Sequence, residues 1–326
     1  MKRLAIILFY LCTCGLAMAS QGHVYALLLS GGRNRLYNHE RYWNDCAFLY
    51  RTLRQDYQIP KENIVLLMAD GNDAGKDMLR DGGTAFASSP TDLDGDGIED
   101  LSMSATLNNL SSVLQNLSGK LTHNDHLFVF ITDHGERTAA GEVRLWLWDG
   151  ATLTGQQLAT LLSPLQAGSL CILMGQCYAG AFVGSLQGEG YVVMAACGTD
   201  ELSWACPDRP YDEFVYHWTC AIARHDENGN AIDADQNHDG YVTAEEAFFY
   251  ASLHDRRSET PSITAYPAQL SSQWTLDGGS IESNIAETHH EQNTQPAVFD
   301  LQGRRIRGAT SSGLYIIGGQ LMIKKR

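Results

Sequence analysis

Five short apolar runs between His23 and Ala196 restrict the fold of this chain more than any other feature. They cover residues 23–30, 63–70, 126–132, 169–174 and 190–196. Each is nearly continuous in apolar residues. A strand with one wet face alternates apolar and polar positions, whereas a strand covered on both faces does not. The runs therefore predict a parallel sheet buried between two helical layers. The segments between them carry helical spacing. Over residues 40–57 the apolar positions are Cys46, Leu49, Tyr50, Leu53 and Tyr57. Leu107, Leu110, Val113, Leu114 and Leu117 repeat the pattern, and 153–162 and 214–223 are further helix candidates. Alternation of this kind predicts an α/β sandwich with a mostly parallel central sheet.

With 326 residues, 44% of them hydrophobic, the chain can bury one sizeable core. A formal charge of −15 argues against nucleic acid and anionic membrane surfaces as partners. Much of the acid sits in short Asp-rich clusters, which point to bound cations instead. Residues 1–19 read as an export signal. Lys2 and Arg3 precede an apolar run over 4–16, and Ala17-Met18-Ala19 is a small-x-small cleavage site before Ser20. That run is short for a bilayer span, and no other stretch reads as one. The expected location is therefore outside the cytoplasm, secreted or at the cell surface. The cysteines beyond the signal match neither a zinc site nor a small disulfide scaffold. Cys46, Cys171 and Cys197 lie inside apolar patterns, as small core residues do.

Organisation follows from composition. Residues 20–276 form one α/β domain. Residues 277–296, rich in Gly, Ser, Asn, Glu and His, read as a linker. Residues 297–326 read as a small C-terminal β module. Its "DLQGRR … GLYII" pattern resembles the C-terminal sorting domain of the type IX secretion pathway of Bacteroidetes-type bacteria. That resemblance implies passage across a Gram-negative outer membrane, with the secretion machinery as partner.

The third apolar run leads into Asp133-His134-Gly135, and the fourth into Gly175-Gln176-Cys177. Functional groups of open α/β sheets gather at the carboxyl ends of strands. Adjacent parallel strands would set His134 beside Cys177. A thiol needs a nearby imidazole to take its proton, and the same imidazole can protonate a leaving amine. The N–H groups of Gly135 and Cys177 are expected oxyanion donors.

These stretches are similar to legumain-type cysteine peptidases, the C13 family, over roughly residues 22–225. The likeness rests on four segments: "HVYALLLSGG…LYNHERYWNDCAFLYRTLRQDYQIPKENIVLLMAD", "TDHG" at 132–135, "GQCYAG" around Cys177, and "MAACGTDELSWAC…YDEFVYHW". The GPI-transamidase catalytic subunit shares this core. The resemblance implies a caspase-like three-layer sandwich and an endopeptidase with a Cys177–His134 dyad acting on peptides or proteins. It implies that Asn38 orients the histidine, that Asp133 stands beside it, and that Ser203 and Asp212 line the substrate pocket. Catalysis would need no metal or cofactor. The chain also departs from the family. Legumains read asparagine with an arginine two residues after the Asn38 position, where Glu40 stands here, followed by Arg41. Gly175-Gln176 replace the acidic residue just upstream of the nucleophile. An acidic pocket made by Glu40 and Asp212 would favour Arg or Lys at the cleaved position.

Two loops carry calcium-like spacing. Residues 235–246 fit an EF-hand loop: Asp235, Asn237 and Asp239 at positions one, three and five, Gly240 at the turn, the Tyr241 carbonyl, and Glu246 as the closing carboxylate. Residues 92–100 offer Asp92, Asp94, Asp96, the Ile98 carbonyl and Asp100, but Met103 stands where a distal Glu would close the loop. Ca2+ is expected as a structural ion. Two rival readings stay open: a transpeptidase or transamidase on the same dyad, and a non-catalytic, calcium-dependent surface protein that retains the fold.

Overall fold

The computed structural model describes residues 22–80, 83–101 and 103–278, and beyond them the backbone of four short strands between 298 and 324. In chain order the elements begin with β1 (Val24–Ser30), α1 (Glu40–Arg51), β2 (Ile64–Met68), β3 (Met78–Leu79), β4 (Phe86–Ala87) and α2 (Leu107–Lys120). Next come β5 (His126–Ile131), β6 (Gly135–Arg137), β7 (Val143–Trp146), β8 (Thr152–Thr154), α3 (Gly155–Leu162) and β9 (Ser169–Met174). The series continues with α4 (Gly180–Val183), β10 (Tyr191–Ala195), α5 (Glu213–Ala223), α6 (Ala244–His254) and β11 (Ser262–Tyr266).

Six strands form the central sheet in the order β11-β10-β9-β5-β1-β2. Every neighbour pair is parallel except β10–β11, which is antiparallel. All five expected runs are strands of this sheet. The sixth, β11, lacks an apolar run because it is an edge strand whose residues are half-exposed or exposed. The sheet is covered on both faces, and the alternation of side chains within a strand shows it. Ala26, Leu28, Phe128 and Phe130 pack with α1, α5 and α6 residues such as Leu49, Trp218 and Phe248. Leu27, Leu29, Leu127 and Val129 pack on the other face with Leu110, Leu114 and Leu158 of α2 and α3. The fold is a three-layer α/β sandwich with a mostly parallel central sheet.

Local sequence explains the helix starts. Thr106 caps α2 by accepting from the Asn109 N–H. Thr154 opens α3 with a capping box completed by Gln157, and Thr243 opens α6 with one completed by Glu246. On α5, Trp218 stacks on Phe128 with centroids 5.3 Å apart and planes 7° from parallel, pinning the helix to the sheet.

The chain lays β2 beside β1, then crosses to the other side of β1 and adds β5, β9 and β10 in turn. Strand order therefore reverses between β1 and β5. In doubly wound sheets the crevice at the carboxyl ends beside such a reversal is where ligands bind. Short antiparallel additions decorate that end: β3–β4, and the β6-β7-β8 sheet that starts one residue after His134.

Towards the C-terminus, β12 (Val298–Phe299), β13 (Arg305–Ile306), β14 (Gly313–Ile317) and β15 (Gln320–Lys324) pair antiparallel in the order β13-β12-β14-β15. The export signal at 1–19 and nearly all of the 277–296 linker lie outside the described residues. Among the described residues no helix is long and apolar enough to cross a membrane.

Candidate active site

Strand register brings together the two loops that carry His134 and Cys177. Strands β5 and β9 pair in parallel with Ile131 opposite Met174. His134 and Cys177 each stand three residues beyond that rung, so the loops leave the sheet side by side. They touch at Gly135: a β-carbon built there would lie 1.9 Å from the Cys177 carbonyl oxygen. Only glycine allows that approach. Tyr178, directly after Cys177, holds a φ of +60°, an unusual conformation for a residue with a side chain. Its N–H donates to the Glu201 carbonyl at 2.8 Å.

His134 is fixed by backbone rather than by an asparagine side chain. Its Nε2 lies 2.8 Å from the Tyr37 carbonyl oxygen and 3.3 Å from the Tyr42 hydroxyl. A carbonyl can only accept, so Nε2 carries the proton and Nδ1 of the neutral ring is a bare base. Tyr42 meets the ring edge-on at a centroid distance of 5.4 Å. Burial lowers the His134 pKa from its ordinary 6.5, and the nearby Arg41 charge adds to this. The Cys177 thiol is half-buried and donates to the Ser203 carbonyl at 3.6 Å. Burial pushes its pKa up, and the Asp212 and Glu259 carboxylates push the same way. Both shifts favour the uncharged forms, a thiol and a neutral imidazole.

The remaining expected residues occupy distinct positions. Asp133 is buried and accepts from the backbone N–H groups of Gly32, at 2.6 Å, and His134. It ties the β1 loop to the histidine loop, and burial lifts its pKa to about 8. Asn38 turns away from the imidazole. Its Nδ2 donates to the Asp77 carbonyl at 3.1 Å, and Asp77 in turn holds Ser89 through its N–H and hydroxyl, both at 2.6 Å. Asn38 therefore anchors the loop whose preceding carbonyl, that of Tyr37, contacts the ring.

Glu40 and Asp212 do not form a vacant acidic pocket. Arg41 Nε is 2.7 Å from Asp212 Oδ1, and Arg80 is 2.7 Å from Glu40. Helix geometry explains the exchange of roles. Helix α1 begins at Glu40, so Glu40 and Arg41 point roughly 100° apart, and it is Arg41 that faces the strand ends. Thr132 also donates to Asp212 at 3.0 Å, and buried Asp45 accepts from the Asp212 N–H. Next to this cluster opens a cleft of about 460 Å3, running from His39 and Arg41 to Ala205 and Pro210. Arg41, Tyr42, the Tyr37 carbonyl and Glu259 went unassigned on sequence. Only Arg41, adjacent to the expected pocket position, carried a signal that could have found it.

The two Asp-rich loops are folded on themselves. In one, Asp235 accepts from the Asp239 and Gly240 N–H groups, and Glu246 from those of Gln236, Asn237 and Thr243. In the other, carboxylate oxygens of Asp92, Asp94 and Asp100 lie within 4.8 Å of one another. Asp96 accepts from the Ile98 N–H, and Asp100 is also bound by Lys61 at 2.6 Å. Among the described residues only the second loop brings three carboxylates within 4.8 Å of one another; in the first, Asp235 is ion-paired with Arg224 at 3.1 Å.

Residues 24–238 match the sequence model of the Peptidase C13 family. The chain belongs to that family. A vacuolar-processing enzyme from Vicia sativa is 29% identical to this C13 family member over 210 residues, 58% of this chain. The match spans 41% of that enzyme, so the C13 chain covers well under two thirds of its relative. The three-layer sandwich agrees with the caspase-like fold the resemblance implied. The matched segment contains Asn38, His134, Cys177, Ser203 and Asp212 and ends before Glu259.

Proposed function

We propose that this C13 family member is an exported cysteine endopeptidase that cuts peptide bonds through a thioester on Cys177, with His134 as acid and base. One observation carries the reading: paired rungs of β5 and β9 lead the half-buried Cys177 thiol and an imidazole oriented by the Tyr37 carbonyl to one rim of the sheet. Nδ1 takes the Sγ proton as the sulfur attacks the carbonyl carbon. The imidazolium then returns that proton to the departing amine, leaving the thioester. Water, deprotonated by the same Nδ1, attacks the thioester and frees the acid and the thiol. The N–H groups of Gly135 and Cys177 are the proposed donors to the oxyanion. A peptidyl chloromethyl ketone tests the assignment. It should alkylate Cys177 in the parent and not in Cys177→Ala; equal labelling of both would reject the dyad. Ligated product on adding a nucleophilic peptide would assign transpeptidation to the same acyl-enzyme.

The base must be unprotonated, and burial holds His134 below 6.5. Activity is therefore expected to persist into mildly acidic solution and to fall as pH drops through that lowered value. A kcat/KM profile with its acid limb above 6.5 would contradict it.

The same proposal places Ca2+ in the 235–246 and 92–100 loops as structural ions, with Asp235, Asn237, Asp239, Glu246 and the Tyr241 carbonyl holding the first. A ligand bound only to the native state at a hundred times its Kd stabilises by about 2.7 kcal/mol. Adding millimolar Ca2+ to chelator-treated protein should raise Tm by ~5–10 °C, and Asp235→Ala should remove most of that gain. A Tm indifferent to Ca2+ would refute the sites. The signal at 1–19 and the 297–326 tail support export, with delivery through the secretion machinery the tail resembles.

A further inference from the structure

We propose that Glu259 is a specificity-determining residue of this site, the carboxylate that receives a cationic substrate side chain, Lys or Arg, at the residue whose carbonyl Cys177 attacks. The inference deepens the peptidase reading and rests on it.

Glu259 comes from the segment joining α6 to β11, which is strapped along the wall 201–205. Trp204 N–H donates to Glu259 Oε2 at 3.2 Å. On one side of that contact Thr260 donates to Glu201 through its N–H and hydroxyl, at 2.7 and 2.8 Å. On the other, the Arg257 guanidinium donates to the Ala205 carbonyl. Ser203, inside this wall, is the residue whose carbonyl takes the Cys177 thiol. Three consecutive tethers thus hold Glu259 against the nucleophile's own wall.

The other acids nearby already have cations. Asp212 has Arg41, Glu40 has Arg80, and Glu213 and Asp208 share Arg256. Among the described residues, no ion pair involves Glu259 or Asp255, and Arg257 spends its guanidinium on a carbonyl. Three oxygens here are sealed from solvent, Glu259 Oε1, Asp255 Oδ2 and Ser203 Oγ, and the Glu259 carboxyl interacts with both the Asp255 carboxyl and the Ser203 hydroxyl. Burial and the neighbouring Asp255 carboxyl lift the Glu259 pKa to about 9, so the two carboxyls hold a proton between them and do not both ionise. A cation bound between two neighbouring carboxyls would take the place of that proton and let both ionise. A guanidinium or ammonium supplies several donors and the charge together, which a substrate amide does not. Glu259 lies beyond the segment matched to the family, just before β11 of the central sheet.

The test uses the full chain and reporter peptides that differ only at the residue before the scissile bond: Arg, Lys, Asn or Asp. The parent should prefer Arg and Lys to Asn in kcat/KM. Glu259→Gln keeps an acceptor for Trp204 and should cut the basic-to-Asn ratio by about 100-fold, as losing one member of a buried charge pair does. Glu259→Asp, which keeps the charge, should retain the basic preference; melting curves check that each variant is folded. A parent that prefers Asn, or a ratio unmoved in Glu259→Gln, overturns the role of Glu259 while leaving the peptidase intact. No turnover of any reporter, with no chloromethyl ketone labelling of Cys177, overturns both readings.

Discussion

Replacing Cys177 by alanine is expected to lower kcat on a cleaved peptide by at least ~10⁴-fold while leaving Tm within about 2 °C of the parent. The magnitude follows from the proposed chemistry. Without the sulfur there is no acyl-enzyme, and what is left is oxyanion stabilisation and binding. Stability is spared because the thiol is half-buried and makes one weak contact, to the Ser203 carbonyl at 3.6 Å. His134→Ala should cost nearly as much, and the double variant little more than either single one, because the two groups act as a unit. Single-turnover assays on purified variants decide this. Turnover by Cys177→Ala within tenfold of the parent would dismiss the thioester route.

The second large effect concerns folding. Arg41→Met is expected to destabilise the chain by about 3–5 kcal/mol, because it strands a buried carboxylate. Asp212 is 4% exposed, Arg41 lies 2.7 Å from it, and the buried carboxyl of Asp45 sits against the Asp212 N–H. Removing the cation leaves two acids facing each other with little water. Tm should fall by on the order of 10 °C. Arg41→Met with Asp212→Asn should recover part of the loss, since the double variant has no unpaired charge at that pair. An Arg41→Met protein that melts within 2 °C of the parent would mean that solvent reaches Asp212 and that the pair is a surface feature.

The contrast between these variants mirrors what could be read from the chain before its structure. The strands were legible because burial on both faces leaves long apolar runs with no alternation. His134 and Cys177 were legible because each follows such a run and is flanked by glycine. Strand β11 was not, since an edge strand with half-exposed residues has neither pattern. The β6-β7-β8 sheet was missed because strands of three or four residues carry too little periodicity. The histidine's orienting group escaped because it is a backbone carbonyl, which any residue at position 37 would supply. The exchange between Glu40 and Arg41 turned on where a helix begins, a matter of one residue. Glu259 was hidden for another reason: its contact with Trp204 joins segments 55 residues apart, and nothing local announces it.

The rung pairing Ile131 with Met174 has a practical corollary. Rise along a strand is about 3.3 Å per residue, so a slip of β9 by a single position would carry the thiol that far past the ring and turn alternate side chains to the wrong layer. The sheet is the gauge that sets the working gap, and the loops merely extend it. Mild denaturant or a packing defect under β9 should therefore silence the enzyme while circular dichroism still looks native, making turnover the more sensitive thermometer of a loosening core.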